Sequence, residues 1–312
     1  MTKFALVFPG QGSQSIGMMT AYETLPAVRA TFSEASEILG QDLWTLVTEG
    51  PAEELNQTVN TQPIMLTAGF ALLQAWKEAG GTEPVAVAGH SLGEYTALVA
   101  AGALAFADAV PLVRFRAQAM QDAVPPGIGA MAAIMGGDDD AVAAACTEAA
   151  QGQVVEPVNF NAPGQVVIAG HREAVERAIA LAKQKGAKRG VLLPVSAPFH
   201  SSLLKPAADK LAARLAQVTF APPVIPVIHN VDVAEHSAPD AIRAALAQQA
   251  ASPVRWTATV QHMAALGVTH VVECGPGRVL AGMNKRIADS IEAFALIDSD
   301  AINETLAALK GA

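Results

Sequence analysis

The pentapeptide Gly89–Gly93 (GHSLG) places a serine between two glycines in the pattern G-x-S-x-G. The apolar run Val85–Ala88 precedes it, and the helix-like segment Glu94–Ala101 follows. A buried strand that turns sharply into a helix strains the turn residue, and the glycines let the two backbones approach closely. The pattern predicts a nucleophile elbow that presents Ser91 beside a helix N-terminus suited to a developing oxyanion. An ordinary glycine turn is the alternative.

A serine hydroxyl needs a base to take its proton, and the chain has seven histidines. His200 is the predicted base because the segment Val195–Leu204 lies at the return from a predicted inserted domain, where a loop could cover a cleft. The alternative is a histidine at a helix start, satisfied by the backbone. His90 adjoins Ser91, but adjacent side chains diverge in an elbow, so His90 is expected to line the cleft. The other histidines have no comparable context: His171, His229, His236, His262 and His270.

No carboxylate stands at an obvious place to orient His200. Asp209 follows it on a predicted helix, and Asp232 lies in a turn after a strand. A backbone carbonyl can hold the imidazole through Nδ1–H instead, so the sequence does not establish a Ser-His-Asp triad.

Arg116 lies in Val113–Met120, an otherwise largely apolar predicted helix. A guanidinium held in a cleft binds a carboxylate through two parallel hydrogen bonds, so Arg116 is a candidate substrate ligand. A surface ion pair is the alternative.

Two loops, Phe8–Gln14 and Glu273–Gly277, follow predicted strands. Open α/β sheets bind ligands beyond the C-terminal ends of their strands, so both loops are expected to border the site. The glycines at positions 10, 12 and 17 are out of register with G-x-G-x-x-G, which argues against a dinucleotide fold. The sequence has no H-E-x-x-H motif, clustered Cys/His or calcium-loop spacing, so we expect no metal site.

The composition predicts a soluble, cytoplasmic globular protein. Of 312 residues 51% are hydrophobic, yet no segment approaches the ~20 apolar residues of a membrane span. The N-terminus runs from a short apolar stretch straight into Pro9-Gly10, which favours a core strand over a signal peptide. Cys146 and Cys274 are too few for a disulfide framework. A net charge of −9 argues against binding to nucleic acid or to anionic membranes.

Strand-like and helix-like segments alternate at first, as in a mainly parallel sheet covered by helices. After Pro125-Pro126-Gly127 the order becomes β-α-β-β-α-β, the ferredoxin-like arrangement, with a tight turn at Asn161–Gly164. We therefore predict an α/β protein with a large domain of residues 1–126 and 198–312 and an inserted subdomain of residues 127–197.

The individual elements follow from hydrophobic periodicity and from cap residues. The predicted strands are Phe4–Phe8, Val85–Ala88, Ala130–Met135, Val154–Asn159, Gln165–Ala169, Gly190–Val195, Pro226–Asn230 and His270–Glu273. The predicted helices, besides the one after the elbow, are Ala27–Leu39, Thr61–Ala79, Phe106–Ala123, Asp139–Ala150, Arg172–Lys185, Ala208–Gln217, Ala241–Gln249 and Val260–Leu266.

Together the motifs resemble the malonyl-CoA:acyl-carrier-protein transacylases of type II fatty-acid synthesis, over nearly the whole chain. The fold of that family, a hydrolase-like α/β domain with a ferredoxin-like insert, agrees with the organisation above. The resemblance is carried by Phe8–Gln14, Gly89–Tyr95, Arg116, Gly129–Met131, Asn159–Gln165, Pro198–His200, Gln249 and Gly275–Gly277.

The resemblance implies a ping-pong transfer. Ser91 attacks malonyl-CoA, CoA leaves, and the phosphopantetheine thiol of an acyl carrier protein collects the malonyl group, with His200 acting as base and then acid. It also implies oxyanion donors at the backbone N–H groups of Gln11 and Leu92, and a malonyl carboxylate bound by Arg116.

It further implies that Gln249 holds His200 through its main-chain carbonyl, and that Phe199 belongs to a malonyl-selecting pattern. No cofactor is expected, because the CoA thioester is a substrate and the partner carries the phosphopantetheine. A monomer is expected. The densest basic cluster is a candidate docking surface for the carrier, with a solvated helix end as the alternative: Lys183, Lys185, Lys188 and Arg189.

Three other functions stay open. A serine esterase or thioesterase would share the elbow but would not need Arg116. An acyltransferase of a polyketide pathway would use the same chemistry with another carrier. A non-catalytic binding module would leave Ser91 and His200 idle.

Overall fold

The computed structural model of the protein describes residues 2–195 and 197–311. Met1, Ser196 and Ala312, which fall within the predicted domain ranges, lie outside the described residues. The strands are β1 (Phe4–Phe8), β2 (Ala86–Gly89), β3 (Gly129–Met135), β4 (Val155–Ala162), β5 (Gln165–His171), β6 (Arg189–Leu192), β7 (Val227–Ile228), β8 (His270–Glu273) and β9 (Glu292–Ala295).

Helices cover most of the remaining chain. They are α1 (Pro26–Leu39), α2 (Leu43–Thr48), α3 (Ala52–Leu55), α4 (Thr58–Glu78), α5 (Gly93–Ala100), α6 (Phe106–Asp122), α7 (Asp139–Ala150), α8 (Arg172–Gln184), α9 (Lys205–Leu215), α10 (Pro239–Gln249), α11 (Trp256–Ala265), α12 (Val279–Asn284) and α13 (Ser299–Gly311).

Within the described residues the larger sheet has the order β7-β2-β1-β8-β9, and every pair in it is parallel. Its central strand β1 is buried at every position, which requires cover on both faces. Because side chains alternate along a strand, Leu6 and Phe8 enter one hydrophobic cluster while Ala5 and Val7 enter another. The first cluster contains helices α1, α4, α5 and α6, and the second contains α11 and α12.

In the described part of the chain the second sheet has the order β4-β5-β3-β6, with antiparallel neighbours throughout. This is the strand order of a βαββαβ unit in which the first strand lies between the third and the fourth. Helices α7 and α8 cover one face. On the other face, Val167 packs in a cluster with Met120 of α6 and Phe199. The structure therefore has the parallel sheet and the small antiparallel sheet expected from the sequence, while the exact domain boundaries stay a prediction.

Backbone hydrogen bonds join the edge strand β4 to the segment before α11. The N–H of Phe160 donates to the carbonyl of Val254 (3.0 Å), and the N–H of Val254 donates to the carbonyl of Val158 (2.8 Å). The hydroxyl of Thr257 also donates to the carbonyl of Phe160. The small sheet is thus tied to residues that follow α10 of the larger unit.

Several element predictions were wrong in extent. The strand predicted at Gly190–Val195 ends at Leu192, because Pro194 has no N–H to donate to a sheet. Short helices at Leu43–Thr48 and Ala52–Leu55 were not predicted, although the Asp42 side chain caps the first of them by accepting from Thr45 N–H. Strand β9 and helices α12 and α13 were also missed. No helix of the described chain has both the length and the apolarity that crossing a membrane requires.

The approach of α5 to β1 leaves no room for a side chain at Gly93, where a Cβ would lie 2.0 Å from the carbonyl oxygen of Phe8. We expect Gly93→Ala to lower the free energy of unfolding by about 1–3 kcal/mol, measured as a fall in the calorimetric melting temperature. Gly282→Ala in α12 is the control, since a Cβ there meets nothing within 4 Å and alanine favours helix. An unchanged melting temperature for Gly93→Ala would contradict the close approach.

Candidate active site

Ser91 lies in a tight turn between β2 and α5, with a left-handed backbone φ of 52°. A Cβ at Gly89 would lie 1.8 Å from the backbone carbon of Gly93, so the turn tolerates no side chain at that position. Ser91 N–H donates to the side-chain oxygen of Asn230 (2.7 Å), and the Asn230 amide donates to the carbonyl of Gly89 (2.7 Å). The asparagine therefore holds both ends of the turn, and the geometry is that of a nucleophile elbow.

The Ser91 hydroxyl is 2.7 Å from Nε2 of His200. Nδ1 of His200 is 2.9 Å from the main-chain carbonyl of Gln249, which can only accept a hydrogen bond. The proton of the neutral ring therefore lies on Nδ1, so Nε2 accepts the hydrogen bond from the serine hydroxyl. This arrangement lets the imidazole take the serine proton directly.

Both members of this pair have strained backbones, because His200 also has a positive φ, of 66°. Left-handed φ angles are uncommon outside glycine and cluster where the surrounding structure fixes a functional geometry. His200 is buried, at 3% exposure. His200 lies in the turn before α9. The alternative interpretation was a histidine at a helix start whose side chain bonds only to the backbone. Its ring instead lies between the carbonyl of Gln249 and the hydroxyl of Ser91.

Burial and the nearby Arg116 cation lower the pKa of His200 from 6.5 to about 3. Both causes disfavour the imidazolium form. The ring is therefore neutral at physiological pH and available as a base.

Arg116 of α6 reaches the base of the cleft and is 1% exposed. Its Nη1 donates to the side-chain oxygen of Gln62 (2.8 Å), and its Nη2 donates to Gln249 Oε1 (2.9 Å) and Ser91 Oγ (3.1 Å). Among the described residues it forms no ion pair with a carboxylate, and its buried Nε has no hydrogen-bond partner. The surface ion pair is thus excluded, and an anion bound beside Ser91 would meet a guanidinium that no carboxylate of the described chain contacts directly.

The loop after β1 lies against the elbow. A Cβ at Gly10 would be 2.4 Å from the carbonyl oxygen of His90 and 3.7 Å from the backbone nitrogen of Leu92. In the described residues the N–H groups of Gln11 and Leu92 have no acceptor, whereas the N–H of Ser91 is taken by Asn230. Two free donors beside the nucleophile are what an oxyanion hole requires.

His90 and Phe199 lie at the margins of this group. Nε2 of His90 is 2.8 Å from the side-chain oxygen of Asn161 in β4, and its ring contacts Trp256. Burial lowers the pKa of His90. His90 therefore joins the elbow to the small sheet; that it lines the cleft stays a prediction. Phe199, next to His200, packs in the cluster between α6 and the small sheet.

Three buried polar residues under the elbow were not predicted: Glu94, His229 and Asn230. The Glu94 carboxylate accepts from His229 Nδ1 (2.7 Å), the backbone N–H of Asn230 (3.0 Å) and Gln249 Nε2 (2.8 Å). The residues around His229 in the sequence do not mark it as a site residue, but it follows β7, whose carboxyl end adjoins that of β2. That adjacency is a signal only once the strand order is known. No group of three or more His, Cys, Asp or Glu side chains in the described chain is placed to hold a metal.

The low pKa of His200 predicts how Ser91 reactivity depends on pH. We expect the rate at which a neutral fluorophosphonate labels Ser91 to fall at low pH, with a midpoint below pH 6.5. The rate falls only when His200 becomes protonated and can no longer act as a base. Arg116→Gln removes the second cause of the lowered pKa, so its midpoint moves to higher pH. Ser91→Ala is the labelling control, and a wild-type midpoint at or above 6.5 would contradict the electrostatic account.

Known proteins resemble this chain in both sequence and structure. The model of the acyl transferase domain family matches residues 5–306. The malonyl CoA-acyl carrier protein transacylase of Escherichia coli (strain K12) is 58% identical over 307 residues, which are 98% of this chain and 99% of that protein. The crystal structure of the acyl-carrier-protein S-malonyltransferase from Burkholderia pseudomallei 1710b superposes with a TM-score of 0.97 at 61% identity, over 98% of this chain and 100% of that one.

A malonyl-transacylase solved in complex with its type II PKS acyl-carrier protein superposes equally well. Its TM-score is 0.97 at 52% identity, over 98% of this chain and 100% of that chain. These matches confirm the predicted α/β fold class and the resemblance drawn from the motifs. A family model that spans almost all of the chain, with curated relatives of this identity, shows that the chain belongs to the acyl transferase family, among the malonyl CoA-acyl carrier protein transacylases.

Proposed function

We propose that this protein transfers a malonyl group from malonyl-CoA to the phosphopantetheine thiol of an acyl carrier protein, through a malonyl ester of Ser91. The observation that carries the proposal is the buried Arg116, whose Nη2 lies 3.1 Å from the Ser91 hydroxyl and which has no carboxylate partner in the described chain. A substrate that brings its own carboxylate supplies the missing charge, whereas acetyl-CoA leaves the cation unpaired.

In the first half-reaction, Ser91 Oγ attacks the thioester carbonyl carbon while its proton passes to Nε2 of His200. The carbonyl oxygen becomes an oxyanion that the N–H groups of Gln11 and Leu92 stabilise. When the C–O double bond re-forms, the C–S bond breaks and the CoA sulfur takes the proton from His200. The products are malonyl-Ser91 and CoA thiol.

In the second half-reaction, the carrier's phosphopantetheine thiol gives its proton to His200 and attacks the ester carbonyl. The ester C–O bond breaks, and the serine oxygen recovers the proton from His200. Gln249 keeps the ring aligned through both halves by accepting from Nδ1. The sequence of steps needs no cofactor, since the thioester supplies the activated acyl group.

The relatives support the substrates. The curated Escherichia coli relative is named for malonyl-CoA and acyl carrier protein, and a structural relative was solved with its type II PKS carrier. We propose that this chain supplies malonyl-carrier for fatty-acid elongation; the polyketide pathway is the second candidate, with the same chemistry and another carrier. Monomeric state and cytoplasmic location stay predictions. A serine esterase or thioesterase that acts on uncharged acyl groups is disfavoured, because it would not need the buried cation beside Ser91.

Brief mixing with malonyl-CoA tests the acyl-enzyme. We expect intact-protein mass spectrometry to detect one malonyl adduct on the wild type, none on Ser91→Ala, and far less on Arg116→Ala. Acetyl-CoA is the matched substrate: with Arg116→Ala the preference for malonyl over acetyl should fall on the order of a hundredfold, the loss of a charge-assisted contact. Free malonate and CoA without an adduct would instead indicate hydrolysis.

The basic cluster at the end of α8 and the start of β6 is the proposed docking surface for the carrier. Its members are exposed, although Lys185 also pairs with Glu148 at 2.9 Å. Carrier proteins of this kind are acidic by family analogy, and opposite charge raises encounter rates. The cluster comprises Lys183, Lys185, Lys188 and Arg189.

Reversing all four charges to glutamate should raise the KM for the carrier on the order of tenfold at low salt, measured at saturating malonyl-CoA. The matched control reverses four exposed positive charges elsewhere and should leave that KM near the wild-type value. Its positions are Lys3, Lys77, Lys210 and Lys310. Equal KM values for the two quadruple variants would place docking on another surface.

A further inference from the structure

Glu94 is a fully buried carboxylate in the first turn of α5, and the elbow mechanism does not use it. One oxygen, Oε1, accepts from Nδ1 of His229 (2.7 Å). The other, Oε2, accepts from the backbone N–H of Asn230 (3.0 Å) and from Nε2 of Gln249 (2.8 Å). An ionised carboxylate so placed is stabilised by three donors and is geometrically fixed.

The contact with Gln249 links Glu94 to both functional halves of the site. The Gln249 amide donates from Nε2 to Glu94 and to the carbonyl of Ser91 (2.9 Å), and its Oε1 accepts from Arg116. The main-chain carbonyl of the same residue accepts from His200. Gln249 therefore holds the base with its backbone and the cation with its side chain.

The Glu94 carboxylate, together with the carbonyl of Ser91, decides which way the Gln249 amide points. A carboxylate accepts only, so it requires the NH2 end of the amide, and the oxygen must then face Arg116. A flipped amide would set NH2 groups against the guanidinium donors and an oxygen against the carboxylate, leaving buried groups unpaired on both sides.

The amide also separates two opposite charges. Burial lowers the pKa of the Arg116 guanidinium, and the Glu94 carboxylate, on the far side of the Gln249 amide, opposes that shift. A carboxylate bound directly to Arg116 would occupy the donors that a substrate carboxylate needs. With the amide between them, the guanidinium gains a nearby negative charge and donates to Gln249 a single hydrogen bond, to a neutral oxygen.

We propose that Glu94 is a positioning residue of this site: its carboxylate fixes the Gln249 amide and, through it, sets Arg116 for the acyl carboxylate and His200 for proton transfer. This inference rests on the proposed function. Its partner His229 holds the far oxygen of Glu94, and Asn230 connects the same carboxylate to the Ser91 N–H.

The first test is Glu94→Gln, which keeps the shape of the side chain and removes its charge and one acceptor. Initial rates of acyl-serine formation with malonyl-CoA and with acetyl-CoA give two kcat/KM values. We expect kcat/KM for malonyl-CoA to fall on the order of tenfold to a hundredfold. The ratio of kcat/KM for malonyl-CoA to that for acetyl-CoA should fall about tenfold, because a displaced guanidinium weakens binding only of the substrate that has a carboxylate. A merely structural role would reduce the active fraction and leave the ratio unchanged.

Glu273→Gln is the matched control. Glu273, the last residue of β8, is also a fully buried carboxylate, but its hydrogen bond in the described chain comes from the backbone N–H of Ala281 and not from a residue of the elbow, the base or the Arg116 site. We expect its malonyl-to-acetyl ratio to equal that of the wild type.

The second test asks whether Glu94 acts through Gln249. In a Gln249→Ala background the amide is gone, so adding Glu94→Gln should change the malonyl-to-acetyl ratio no further. A ratio that falls as much in that background as in the wild type would overturn the proposal, as would an unchanged ratio in the single variant. If Glu94→Gln does not accumulate as folded protein, Glu94→Asp takes its place in both backgrounds. Aspartate moves the carboxylate back by one methylene, and the expected ratios are the same.

The two proposals fail separately. If the wild type forms no malonyl adduct, the proposed function is wrong. If the wild type forms it and Glu94→Gln keeps the wild-type ratio and rate, the function stands and the positioning role of Glu94 is wrong.

Discussion

A guanidinium buried without a carboxylate partner is the constraint on which this site depends. Removing a charge from water costs several kcal/mol unless hydrogen bonds and nearby charge offset it. Arg116 is stabilised by the amide oxygens of Gln62 in α4 and Gln249 in α10. The ring of Tyr95 in α5 also contributes, since its centroid lies 5.3 Å from the guanidinium carbon Cζ. Each partner comes from a different helix around the parallel sheet, so the packing of these helices and the position of the cation determine one another. A well-packed apolar residue would cost less, and the cation is therefore best understood as a functional feature.

The same cation accounts for the finding that, among the described residues, no carboxylate is hydrogen-bonded to the base. In a Ser-His-Asp arrangement an acid holds the imidazole and stabilises its charged form. Here an acid beside His200 would lie within reach of Arg116 and would pair with it. A backbone carbonyl orients Nδ1 equally well and brings no net charge. The result is a base that stays neutral beside a positive charge, while the buried acid Glu94 is connected to it only through Gln249.

The elbow could be predicted because its cause is local: glycines, a serine and a strand-to-helix change within a few residues. The ferredoxin-like insert followed from the order and spacing of its elements, which the structure reproduces with shifted ends. Whether Arg116 was buried was beyond prediction, since its partners Gln62 and Gln249 lie 54 and 133 residues away in sequence. Glu94 and His229 were missed for the same reason, because they meet across 135 residues only after β7 pairs with β2. Strand β9 was missed because it is only partly buried and lacks a clear apolar alternation.

The backbone bonds between β4 and the segment around Val254 have a consequence beyond the shape of the cleft. An edge strand presents unpaired N–H and C=O groups on which another chain can build a sheet. In this protein the β4 edge is capped by the molecule's own chain at Val158 and Phe160, beside the mouth of the cleft. The β4 edge of the small sheet is therefore protected against intermolecular strand addition by a segment of the same chain.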